Sequence, residues 1–159
     1  MRKMIYVVIF AVLAGLVFTA FMQKELYHGG SHEISAEDKA AVLRVLDDYM
    51  STFNSKDAKA WQTTYHFPHY RLASGKMSVL ERPGILDSTT FVRLKQTGWD
   101  HSAWDHRNII QAAEGKVHVD TRFSRYKADG TKLGTYESLY VVTKEDGRWG
   151  VKLRSSFAE

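Results

Sequence analysis

Apolar positions recur along this chain with three different periods, and each period predicts a different kind of element. Met4 to Met22 run for 19 positions without a charge, behind Arg2 and Lys3. That length can cross a bilayer as a helix, and the basic flank keeps the N-terminus in the cytoplasm while the rest is exported. A cleavable signal peptide is the rival reading. Its apolar run is usually shorter and its cleavage site wants small residues at −3 and −1, whereas Ala20 at −1 would put Phe18 at −3, which favours an uncleaved anchor. Residues 1–24 are therefore the anchor or signal segment, and the aperiodic, Gly-Gly-containing residues 25–33 a tether.

From Ser35 the period becomes helical. Ser35-Ala-Glu-Asp38 resembles a capping box, and Val42, Leu46, Tyr49, Met50 and Phe53 form one apolar stripe, which predicts a helix from Ser35 to Asn54. Ser55 or Asp57 can cap a second helix carrying Trp61 and Tyr65 on one face, with Pro68 as its end. Tyr70 to Glu81 reads as a hairpin turning at Ser74-Gly75. A third helix follows from Asp87 or Ser88 to Lys95, closed by Gly98.

Beyond Trp104 the period drops to two, in long runs joined at Glu114-Gly115, Asp129-Gly130 and Asp146-Gly147. Taken as two-residue turns, these set a register in which directly opposed residues share a face. One face then collects Ile110, Val117, Val119, Phe123, Val142, Val151, Leu153 and Phe157. The same face carries His106, Asn108, Thr121, Tyr136, Ser138, Tyr140 and Ser155. The other face collects Arg107, Asp120, Arg122, Glu137, Lys152 and Arg154. A β-bulge would invert the parity beyond it. Three helices, a hairpin and a four-stranded meander make an α+β domain over residues 34–159.

Composition narrows the partners. Of the 22 Lys and Arg, Arg2, Lys3 and Lys24 flank the apolar run, which leaves 19 against 18 acidic residues for positions 25–159. A nearly neutral domain without a basic run has no electrostatic footprint for nucleic acid. The absence of cysteine removes disulfides, thiolate metal sites and cysteine nucleophiles.

The order of elements, the Tyr65-His-Phe-Pro-His-Tyr-Arg71 segment, and the ending Tyr140-Val-Val-Thr-Lys-Glu-Asp-Gly-Arg-Trp-Gly-Val151 resemble the nuclear transport factor 2-like superfamily, in its bacterial SnoaL-like branch. The resemblance covers roughly residues 34–157. It implies a cone in which a strongly bent antiparallel sheet wraps three helices, often as a dimer, with a pocket at the wide end. Relatives include ketosteroid isomerase, scytalone dehydratase, polyketide cyclases and limonene epoxide hydrolase, beside many non-enzymatic binding domains, so fold alone leaves the reaction open.

The site must then be argued from the inner face. It carries no carboxylate, which departs from the isomerase pattern, and Asp120 and Arg122 point outward, which departs from the epoxide hydrolase pattern. His106 is the candidate base, with Tyr136 as donor. Asn108, Ser138 and Tyr140 are polar groups beside them, and Trp61 and Tyr65 supply wall. Arg71 shares a side of its strand with His69 and suits an anionic group on a ligand.

His66 and His69 straddle Pro68 and do not share a helical face, so no metal site or cofactor is expected from them. The Trp-Asp-His repeat from Trp99 to His106 flips parity along a strand, so its halves face opposite sides. The expected function is a membrane-tethered domain, outside the cytoplasm on the periplasmic or extracellular side, that binds a small, largely apolar molecule; cleavage would make it secreted. Two alternatives stay open: a cofactor-independent isomerase, dehydratase or cyclase, and a homodimeric interaction module whose cavity is filled.

Overall fold

The computed structural model describes residues 33–158. The expected anchor and tether lie outside them, and among the described residues no helix is long and apolar enough to cross a membrane.

Helix α1 spans Ala36–Asn54, and Ser35 caps it by accepting from the Asp38 amide at 3.0 Å. The predicted stripe is the buried one: Val42, Leu46, Tyr49 and Met50 face inward. Asp38 then accepts from Trp149 Nε1 at 2.8 Å and Lys144 Nζ at 3.0 Å, which ties the start of α1 to the far end of the sheet. Asp57 caps α2, Ala58–Gln62, by accepting from the amides of Lys59 and Ala60.

The predicted second helix is shortened. Strand β1 spans Tyr65–Ala73, so Tyr65 is a strand residue and Pro68 lies inside the strand. Proline has no N–H to donate, and the pairing of β1 is interrupted between Tyr65 and Tyr70. Ser74 and Gly75, both at positive φ, turn the chain into β2, Lys76–Leu80, as their sequence predicts. Helix α3 spans Thr89–Gln96.

Strands β3 (His101–Ala113), β4 (Lys116–Tyr126), β5 (Lys132–Glu145) and β6 (Arg148–Ser156) form the meander. The six-stranded sheet runs β2-β1-β6-β5-β4-β3. It is mixed where a purely antiparallel sheet was expected, because β1 lies parallel to β6. The chain passes through the whole meander before β6 returns to lie beside β1.

The register holds in the centre. Phe123 faces Tyr136, Thr121 faces Ser138, Val119 faces Tyr140 and Val117 faces Val142. The connection around Asp129-Gly130 is nevertheless wider than two residues: β4 ends at Tyr126 and β5 begins at Lys132, and an irregularity beside Leu133 restores the phase. At Asp146-Gly147 both residues have positive φ and the turn is the tight one.

Three bulges overturn the register elsewhere. In β3 the pairing slips between Ile109 and Gln111 and again between Trp104 and His106. His106 therefore lies opposite Arg122, and Asn108 opposite Asp120, on the outer face, while Ile110 is left 52% exposed. Arg107 moves to the inner side, opposite Thr121, and binds the Leu43 carbonyl and Asp47 on α1. In β6 the slip falls between Val151 and Leu153. Leu153 and Ser155 leave the inner face, and Arg154 enters it opposite Tyr140. Each bulge adds local twist, which a sheet wrapped around helices requires.

Candidate functional site

A cavity of about 710 Å³ opens between the three helices and the inner face of the sheet. This is within the range of small-molecule sites. Tyr49, Met50 and Phe53 of α1 and Trp61 of α2 form one wall, and Phe123, Tyr136 and Tyr140 of the sheet face them. The rings pack edge to face or tilted: Tyr49 lies 5.4 Å from Trp61 and 5.3 Å from Tyr140, and Phe123 lies 5.4 Å from Tyr136. Such packing rigidifies the walls. Burial holds the phenols of Tyr65 and Tyr140 well above the usual tyrosine range, so both stay protonated donors.

The polar part of the lining is cationic. Arg71 of β1, Arg93 of α3, Arg125 of β4 and Arg154 of β6 all reach the cavity, and no carboxylate stands among its described lining residues. Arg154 is 6% exposed and donates from Nη2 to Ser156 Oγ at 2.8 Å. It also lies over the rings of Phe123 and Tyr140 at 5.5 and 5.7 Å. Its Nε and that of Arg71 are buried without a hydrogen-bond partner, as is Nε1 of Trp61. Arg125 stacks over Tyr136 at 4.8 Å. Burial pushes its guanidinium below the ordinary value; Tyr136 opposes this, and the charges of Arg154 and Arg71 add to it.

The expected site residues divide into groups. Trp61, Arg71, Tyr136 and Tyr140 line the cavity. Tyr65 lies behind the lining, 5.5 Å from Trp61 and stacked on His69 at 4.0 Å. Ser138 is on the inner face but spends its hydroxyl on Ser156 Oγ at 2.7 Å. His106 and Asn108 are outside: their inward placement is corrected by the β3 bulges, and His106 Nε2 donates to Asp120 Oδ2 at 2.9 Å.

His66 and His69 serve the joint between β1 and β6. His66 Nε2 donates to the Arg148 carbonyl and His69 Nδ1 to the Val151 carbonyl, each at 3.0 Å. Burial, opposed by that bond to Val151 and reinforced by Arg154, Arg71 and Lys152, pushes His69 down to about 4. A group with metal-ligand potential lies instead on the outer face, where ligand atoms of His106, Asp120 and Glu137 come within 4.8 Å of one another. Arg122 binds Glu137 there at 2.7 Å and already supplies a cation.

Among the cationic lining residues, sequence reasoning missed Arg93, Arg125 and Arg154. For Arg125 a signal exists, since the alternation that turns Phe123 inward also turns the residue two further on inward. For Arg154 the alternation points the wrong way, and only the β6 bulge reveals it.

None of the curated proteins compared matches this chain. Solved structures do. A protein with a cystatin-like fold from Nostoc punctiforme superposes with a TM-score of 0.66 at 14% identity, over 80% of this chain and 96% of its own. An NTF2-like protein from Pseudomonas putida gives 0.63 at 9%, over 80% and 90%. A ketosteroid isomerase-like protein from Erwinia carotovora atroseptica gives 0.57 at 18%, over 77% and 97%. At these identities the likeness establishes the fold. Residues 36–153, most of the chain, match the family NTF2-like protein (DUF6841), and the chain belongs to that NTF2-like family.

Proposed function

We propose that this domain binds a small organic molecule with a substantial apolar or aromatic body, held between α1, α2 and the inner face of the sheet. The observation that carries the reading is the open cavity of about 710 Å³ walled by aromatic rings. Its described lining contains neither histidine nor carboxylate. Tyr140 stays protonated, and His106, the base of the acid-base alternative, faces away. Binding therefore has more support than proton-transfer catalysis.

The test is ligand-observed saturation-transfer NMR on the full chain in lipid nanodiscs, with 2-naphthamide as probe and empty discs as blank. Saturation reaches the probe in the parent protein and is lost in Leu133→Trp, which fills the cavity with an indole. Equal transfer in both proteins rejects the cavity as the binding place.

The domain's position outside the cytoplasm, tethered through Met4–Met22, belongs to the same proposal and rests on the apolar run and its basic flank. An alkaline phosphatase fused after Glu159 is then active; an inactive but expressed fusion rejects export. Self-association has its own support. On the outer face, Met77 and Val79 are exposed beside half-buried Tyr70, Leu72 and Leu153. Such a patch suits a second copy, and Met77→Glu abolishes cross-linked dimers if the chain pairs there.

A further inference from the structure

Arginines inside proteins ordinarily meet carboxylates, and this chain does so outside its cavity, at Arg107 with Asp47 and Arg122 with Glu137. Arg71 and Arg154 do not. They are register partners across the parallel β1 and β6 strands, both line the cavity, and among the described residues no carboxylate lies within ion-pair distance of either. We propose that the ligand of this cavity is an organic anion, whose carboxylate, sulfonate or phosphate group is held between the guanidiniums of Arg71 and Arg154 while its apolar body lies among the aromatic rings. The inference rests on the cavity being a ligand site and names the class of ligand.

Two physical points carry it. Taking a guanidinium out of water is costly unless its N–H groups are bonded and its charge is met. Arg154 is 6% exposed, its side-chain bonds go to Ser156 Oγ and the Tyr49 phenol, and the faces of Phe123 and Tyr140 lie beside the guanidinium without supplying a full negative charge. Its Nε and that of Arg71 still lack acceptors. An oxyanion is the group that supplies both charge and lone pairs, and the planar guanidinium fork suits its geometry. The second point is repulsion: two like charges on neighbouring strands disfavour each other until a negative group stands between them. A neutral apolar ligand would leave both deficits in place.

The experiment compares 2-naphthoate with its uncharged relative 2-naphthamide, by isothermal titration calorimetry on the full chain in lipid nanodiscs with empty discs as blank. The expected result is at least tenfold tighter binding of the naphthoate. Arg71→Met brings naphthoate down to the level of naphthamide and leaves naphthamide unchanged, and Arg71→Lys, which keeps the charge without the fork, falls between. Circular dichroism establishes that each variant is folded, and Arg154→Lys is the second variant if Arg71→Met is not. Binding of both probes with equal affinity overturns the anion while the cavity stands. Binding of neither at millimolar concentration overturns both.

Discussion

Arg71 and Arg154 stand side by side across the parallel pairing of β1 and β6, facing one cavity, and neither meets a carboxylate among the described residues. Two like charges on neighbouring strands disfavour each other. Arg71→Met keeps the apolar stem and removes one of the two charges. The ligand-free protein should gain up to about 1 kcal/mol, the scale of a like-charged neighbouring pair, seen as a rise in Tm of a few degrees. A fall in Tm would mean that the Arg71 charge is already compensated.

His106 makes its bond on the outer face, to Asp120. His106→Ala therefore leaves 2-naphthamide binding within twofold of the parent, measured by the same calorimetry. A loss of tenfold or more would return His106 to the cavity and contradict the bulges in β3.

Asn54, the last residue of α1, joins the helix to the edge strand. Its side-chain amide donates to the Ser102 carbonyl at 2.8 Å and accepts from the Ser102 amide at 2.9 Å. Ser102 is buried, so Asn54→Ala leaves two backbone groups without partners. The expected cost is about 2 kcal/mol, read as a lower urea midpoint with an unchanged slope.

His69 gives the fold a pH dependence of known sign. Burial holds its pKa at about 4, against 6.5 for the free side chain. Between those values the unfolded chain carries a proton that the folded protein does not, so stability is full above pH 6.5 and falls as pH drops toward 4. The loss is on the order of 3 kcal/mol across that window. His69→Gln removes most of the slope in Tm between pH 6.5 and 4.5, a window that lies largely above the carboxylates. An unchanged slope would assign it to other groups.

Much of the architecture was legible because local chemistry and global need agree there. Ser35 and Asp57 cap the helices they were expected to cap, and the stripe from Val42 to Met50 is the buried one. The tight turns Ser74-Gly75 and Asp146-Gly147 hold their residues at positive φ, and the centre of the β4-β5 pairing follows from alternation alone. Pro68 misled because a proline ends a helix and interrupts a strand equally well. Tyr65 and Trp61 fall four apart whether or not one helix contains both.

What the sequence by itself determined is the set of elements, their order and the apolar walls: Trp61, Phe123, Tyr136 and Tyr140 reach the cavity from positions that periodicity assigns. What only the tertiary structure decided is which polar side chains enter. Val151-Lys-Leu-Arg154 alternates perfectly, and nothing local says that a residue should be added to the count. The bulges arise because the sheet must bend around helices that are remote in sequence, and each one exchanges the two faces beyond it. That exchange takes His106 out of the cavity and brings Arg154 in, so the inner face carries a guanidinium where alternation alone would have placed an imidazole.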